Sequence, residues 1–311
     1  FGSRRVSPPP EAGGPPRPRA AMPAGPLGDG RDVAVGPQLS DGLSPAGGYR
    51  CFEVSRPLEG VVEIVLNRDS GMNAMSNAFI RDMHQVCDAL QYPQTLGGGP
   101  APRVVIIRGE GRAFCAGFDM RDPHHRGADQ PFLQHAFSGV MKKLRELPQP
   151  IIAGINGAAV GGGMALALAA DVRVAAETCR FVPAMLRMGL SGGECGTSWF
   201  LPRAVGQQHA ALTLLAGQEV DAATALSWGL VARVVPADGL LGACRELASA
   251  MLAASPKGLR LTKQLLNDAM QTPLAAHLAR EDLAQSYTSA DPESQRVGRS
   301  HVKRHSGAAK L

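Results

Sequence analysis

Ten residues, Ile155-Asn-Gly-Ala-Ala-Val-Gly-Gly-Gly-Met164, constrain this chain more than any other stretch. Four glycines sit between a short apolar run, Ile151–Ile155, and a second apolar run, Met164–Ala169. The pattern reads as a buried strand, a turn, and a helix opened by three residues that lack Cβ. The first N–H groups of a helix have no intrahelical acceptor and sit at the positive end of its dipole, so such a turn suits a developing anion. A dinucleotide loop is excluded by spacing, because Gly157 and Gly161–Gly163 do not make G-x-G-x-x-G, and no Gly-Lys-Ser/Thr phosphate loop occurs. A second turn, Gly111-Arg-Ala-Phe-Cys-Ala-Gly-Phe-Asp-Met120, follows another apolar run, Val104–Arg108.

Around these turns the chain alternates strand and helix patterns. Phe52–Ser55 and Val61–Leu66 read as a hairpin. Ser76 caps a predicted helix whose Phe79, Ile80, Met83, Val86, Cys87 and Leu90 fall at helical spacing. Leu96–Pro102 is a loop, and Val172–Ala175 and Val231–Val235 are further strands, so the expectation is an α/β fold with parallel pairing. Beyond about residue 236 the pattern is helical, with Leu259, Leu261, Leu265 and Leu266 on one segment and Leu274, Leu278 and Leu283 on the next.

Composition bounds the ends. The first 50 residues hold ten Pro and ten Gly, which defeats both helix and sheet periodicity. Residues 1–48 are therefore read as a disordered leader, either a transit segment bearing Arg4, Arg5, Arg17 and Arg19 or a Pro-rich linker. Residues 1–50 carry six Lys/Arg and four Asp/Glu, and 295–311 carry five and none; of the chain's 32 basic and 27 acidic residues, 21 and 23 remain in 51–294. The folded part is slightly acidic and gives no support to nucleic-acid binding. The six cysteines form no C-x-x-C pair and no zinc spacing, which points to reduced thiols in an intracellular protein. No apolar run reaches the length of a membrane span. Ala309-Lys310-Leu311 resembles the Ser-Lys-Leu peroxisomal address, with a mitochondrial destination as the alternative and the peroxisomal import receptor as an expected partner.

Over roughly residues 51–290 the ordered set Leu66-Asn-Arg68, Asn73-Ala-Met-Ser76, Ala113–Asp119, Asn156–Gly163, Gly196–Arg203, Ala222–Val231 and Ser255-Pro256 resembles the crotonase family of enoyl-CoA hydratases and isomerases. The resemblance implies a spiral of ββα units over 49–240, a helical oligomerisation or lid segment over 241–290, a basic tail over 291–311, and a homotrimer or homohexamer. It implies an acyl-CoA substrate on the fatty-acid β-oxidation pattern, with no cofactor beyond the coenzyme A of the thioester. By position, Phe118 and Gly162 supply the two N–H groups of an oxyanion hole, while Ala74, Ala116, Gly117, Asp119, Met120 and Gly161 lie along the CoA. The chemistry agrees, since reaction at a thioester passes through an enolate whose oxygen needs fixed donors. Asp119 also has a second reading, as a turn-closing carboxylate.

The chain departs from the family where hydratases carry two glutamates. The first position is Ala165, and the second falls at Ala184 or Met185. Neither exchanges a proton. Glu194, in Ser191-Gly-Gly-Glu-Cys-Gly-Thr197, occupies the place of a catalytic aspartate in dienoyl-CoA isomerases. It reads either as a proton shuttle in an apolar pocket or as a carboxylate at the start of the following helix. His124 and His125 are a further pair near the predicted acyl end. Two other classes stay open: a catalytically inactive acyl-CoA binder, and a serine hydrolase suggested by the G-x-S-x-G pattern Gly189–Gly193.

Overall fold

The computed structural model describes residues 48–68, 72–92, 101–122 and 130–308. The leader expected over 1–48 lies outside them except for Gly48, as do most of the loop at 96–102, His124, His125 and the Ala309–Leu311 tripeptide.

In chain order the elements are β1 (Phe52–Leu58), β2 (Val61–Leu66), α1 (Asn77–Gln91), β3 (Val104–Gly109), β4 (Ala113–Cys115), α2 (Gln130–Glu146), β5 (Ile151–Ile155), β6 (Ala158–Val160) and α3 (Gly162–Ala169). They continue with β7 (Val172–Ala176), β8 (Arg180–Val182), α4 (Thr197–Ala216), β9 (Val220–Asp221), α5 (Ala222–Ser227), β10 (Arg233–Val235), α6 (Leu240–Leu252), α7 (Pro256–Ala269), α8 (Leu274–Ser289) and α9 (Pro292–Ala308). Of the basic tail, Pro292–Ala308 is helical.

Two sheets result. The larger runs β1-β2-β3-β5-β7-β10 and is parallel apart from the β1–β2 hairpin. The smaller runs β4-β6-β8-β9, with β9 antiparallel at its edge. Three strands of the first pass almost directly into one of the second, β3 to β4, β5 to β6 and β7 to β8, before a helix returns the chain. That is the expected spiral of ββα units.

The large sheet is apolar on both faces because both are covered. Every residue of Val61-Val-Glu-Ile-Val-Leu66 is buried, as a strand inside a mainly parallel sheet requires. One face meets α1, α2 and α3 through Ile64, Phe79, Met83, Val105, Ile107 and Phe137. The other meets α6 through Val61, Val104, Ile106, Ile152, Leu240 and Cys244. Glu63 faces this second layer, and its buried carboxylate is held by Arg108 at 2.7 Å and Arg245 at 2.9 Å. All six cysteines are buried and free. Among the described residues no helix is long and apolar enough to cross a membrane.

Ser76 caps α1 as the sequence predicts, its hydroxyl accepting from Phe79 N. Sequence periodicity did not reveal β4, β6, β8 and β9. Strands of two or three residues are too short to show an alternation, and β4 and β6 fall within the glycine turns.

Candidate active site

The spiral brings the two glycine turns together. Asn73 fastens the first: its amide donates to the carbonyls of Glu110, Ala113 and Phe114 while its side-chain oxygen accepts from Arg68 N. A single parallel bridge then joins Met75 to Phe118, with Met75 N donating to Gly117 O at 2.7 Å and Asp119 N to Met75 O at 2.9 Å. Because alternate peptides of an extended segment point opposite ways, the Phe118 N–H is turned away from the side that Asp119 uses.

The second turn is fixed by Gly161 N, which donates to Val182 O at 2.9 Å, and Gly161 adopts φ 50° to start α3. Gly162 and Gly163 follow as the first helical residues, where an N–H finds no intrahelical acceptor. The turns meet backbone to backbone. A Cβ on Gly117 (φ 82°) would lie 2.5 Å from Val160 O and 3.3 Å from Gly162 N, and one on Gly162 would meet the Phe118 ring at 3.0 Å and the Met75 methyl. Only glycine permits this approach.

A cavity of about 300 Å³ opens beside them. Its wall is Phe118 and Met120 from the first turn, Leu133, Gln134 and Phe137 from α2, and Met185, Met188, Leu190 and the Ser191–Glu194 loop. Glu194 is held through its backbone, since its N–H donates to the Thr197 hydroxyl at 3.0 Å and its carbonyl accepts from Thr197 N at 2.8 Å. Its side chain does not cap α4. The cap residue is Gly196 at φ 91°, and Glu194 Oε1 is buried with no hydrogen-bond partner among the described residues. That oxygen lies 3.0 Å from the Cβ position of Gly161. Desolvation pushes the carboxyl up from 4.5 to about 7. The Glu194 side chain thus lies on the cavity wall and does not cap the helix that follows.

The sequence profile described as Enoyl-CoA hydratase/isomerase matches residues 57–305. The chain belongs to the enoyl-CoA hydratase/isomerase family. Among curated relatives, "Probable enoyl-CoA hydratase echA12" of Mycobacterium leprae is 39% identical over 240 residues, covering 74% of this chain and 80% of that one. An enoyl-CoA hydratase structure from Bacillus anthracis superposes with a TM-score of 0.77 at 28% identity, over 82% of this chain and 97% of the other. A monofunctional enoyl-CoA isomerase from M. smegmatis is 37% identical with a TM-score of 0.62, over 74% and 98%.

The positions where the sequence resemblance leads to an expectation of glutamates carry no carboxyl in this member of the enoyl-CoA hydratase/isomerase family. Ala165 is fully buried inside α3. Of Ala184 and Met185, it is Met185 that lines the cavity, its methyl carbon 2.7 Å from the Gly161 Cβ position. Of the positions expected along the CoA, Met120 is exposed at the cavity mouth, Ala74 is buried behind the first turn, and Ala116 and Gly117 precede Phe118.

Asp119 follows its second reading, closing the turn. Its carboxylate pairs with Arg68 at 2.8 Å and with Arg121 at 3.2 Å and accepts from Arg121 N at 3.0 Å. Burial alone would raise its pKa, but these donors outweigh burial and hold it below the ordinary carboxylate value.

The hydrolase reading fails on local structure. Gly189–Gly193 follows a 3₁₀ turn, Leu186–Met188, where a nucleophile elbow needs a strand, and the Ser191 hydroxyl accepts from Gly193 N. His209, downstream, contacts Val205 O and stacks on Trp228. The residues that periodicity missed are the apolar cavity walls from α2 and from the 185–190 turn, whose loop and helix positions give no sequence signal for facing a cleft.

Proposed function

We propose that this protein is an enoyl-CoA isomerase, moving the double bond of an acyl-CoA thioester from C3 to C2 with Glu194 as the single proton carrier. The observation that carries the reading is the Glu194 carboxyl oxygen, buried, without a hydrogen-bond partner, over Gly161 and on the wall of the cavity that Phe118 also lines. The thioester carbonyl sits between Phe118 N and Gly162 N, and the CoA runs past Ala74, Ala116, Gly117, Asp119, Met120 and Gly161. The carboxylate takes a proton from C2, the electron pair moves into a dienolate whose oxygen the two N–H groups stabilise, and the same proton returns at C4. No atom is gained or lost, and no group beyond the thioester is needed.

A carboxyl near 7 is suited to both halves of that exchange at neutral pH. Hydration is the second reading, favoured by relatives named hydratases. It needs a further group to activate water, and the other described polar residues on the cavity wall are Gln134 and Ser191. Assembly as a homotrimer or homohexamer is part of the same proposal, supported by the exposed apolar residues Leu274, Leu278, Leu283 and Tyr287 of α8.

The test gives the protein a 3-enoyl-CoA and crotonyl-CoA under the same conditions and identifies the products. A 2-enoyl-CoA is expected from the first, and kcat/KM is expected to fall by about 10³ in E194Q. Unchanged turnover in E194Q removes Glu194 from the mechanism, and rapid 3-hydroxyacyl-CoA formation from crotonyl-CoA favours hydration.

A further inference from the structure

The space above Gly161 holds two side-chain ends from different parts of the chain. Met185 reaches it from the turn after β8 and Glu194 from the loop before α4, their terminal atoms 2.7 Å and 3.0 Å from the position a Cβ on Gly161 would take. The thioether methyl and the carboxyl oxygen therefore crowd one small volume. Met185 is 6% exposed, and its carbonyl accepts from Met188 N and Leu190 N, so the methyl is held there by a closed turn.

We propose that the Met185 methyl is a cap on the Glu194 carboxyl: it keeps water off that group and so confines the site to proton transfer within the substrate. Met185 is then a positioning residue that acts through Glu194, and this inference rests on the reading of Glu194 as the proton carrier.

The surroundings of Glu194 isolate this effect. From α2, the residues facing the cavity are Leu133, Gln134 and Phe137, none of them ionisable. Phe118 and Met120 face it from the first glycine turn, where Asp119 is engaged by Arg68 and Arg121 and Arg112 is exposed. On the 185–190 turn, Arg187 is directed to Glu219 and Gly217 O. The neighbouring Cys195 thiol is pushed up by its burial to about 12 and stays neutral. Among the described residues no ion pair reaches Glu194, so apolar contact is what sets its protonation, and the Met185 methyl is the side-chain atom nearest the shared volume.

Three variants separate the cap from a merely structural role. M185L keeps an apolar end of similar volume, M185Q places a polar end on a side chain of similar length, and M185A opens the space. Isomerisation of a 3-enoyl-CoA is followed against pH for each, with the product mixture identified. The acid limb of kcat/KM is expected to move down by about one pH unit in M185Q and M185A and to stay in place in M185L. Some 3-hydroxyacyl-CoA is expected with M185Q and M185A and none with M185L.

Folded M185Q and M185A proteins with an unshifted acid limb and no hydrated product overturn the proposal. A direct measurement covers variants that fail to fold: a ¹³C-carboxyl NMR titration of unliganded wild type, with the signal assigned by its loss in E194Q. Titration in the ordinary carboxylate range overturns the cap without reference to turnover. If E194Q isomerises as well as wild type, the proton-carrier reading fails instead, and the titration still reports on the cap.

Discussion

At the scale of single residues, the proposed mechanism makes one carboxyl, Glu194, set what this site does and at what pH. Glu194 is neutral in both folded and unfolded chains well below 4.5. Between 4.5 and about 7 the folded protein keeps a proton that the unfolded chain has released. Stability therefore falls as pH rises through that interval and levels off above it. E194Q carries no such charge, so it is expected to gain on wild type across the same window, by about 1–2 kcal/mol at pH 8 for a half-buried group. Urea denaturation of both proteins at pH 5 and pH 8 measures this, and a pH-independent difference shows that the carboxyl is not desolvated. Glu194 was legible in the sequence because its distance from Gly196-Thr197 matches a family position. The partner above Gly161 was not: Met185 differs from Ala184 by one place in the chain, and only the turn after β8 determines which of them faces the cavity.

At the scale of elements, two turns make the site by touching. Gly117 is the tightest test, since its φ of 82° and the Val160 carbonyl 2.5 Å from its Cβ position both oppose a side chain. Gly117→Ala is expected to destabilise the protein by about 2 kcal/mol and to lower kcat/KM by about 100-fold, because the Phe118 and Gly162 peptides are driven apart. Thermal melts and initial rates check the two effects, and a variant with normal kinetics removes this contact from the site. The turns themselves were evident from their glycines. Their pairing across β4 and β6 was not, because three-residue strands leave no pattern in a sequence and form only when a neighbouring strand supplies their hydrogen bonds.

At the scale of the whole molecule, one buried cation helps to fasten α7 to the spiral, beside the Arg145–Asn267 contacts. Lys263 of α7 is 4% exposed, pairs with Asp171 at 2.9 Å and donates to the Gln149 carbonyl at 2.8 Å. Desolvation lowers its pKa, and Asp171 offsets part of that loss. Removing the ammonium leaves Asp171 with Arg145 but strips the Gln149 carbonyl of this donor. Lys263→Met is accordingly expected to cost about 3 kcal/mol, read as a lower denaturation midpoint. An unchanged midpoint shows that the other contacts of α7, apolar packing and the Arg145–Asn267 pair, suffice to hold it in place.

What the amino-acid order determined by itself is local. Apolar runs of strand length, a Ser cap at 76, helix periodicity beyond 236 and glycines where a backbone must come close are all properties of neighbours in the chain. Tertiary structure decided everything that depends on two segments meeting. It paired Asp119 with Arg68 and Arg121, selected Met185 over Ala184, buried Glu194 Oε1 without a partner, and closed the short second sheet. The physical reason is range. Backbone preference and capping act over a few residues, whereas desolvation and close backbone contact depend on what the fold brings in from 20 or more residues away, as it does for Gly161 and Met185.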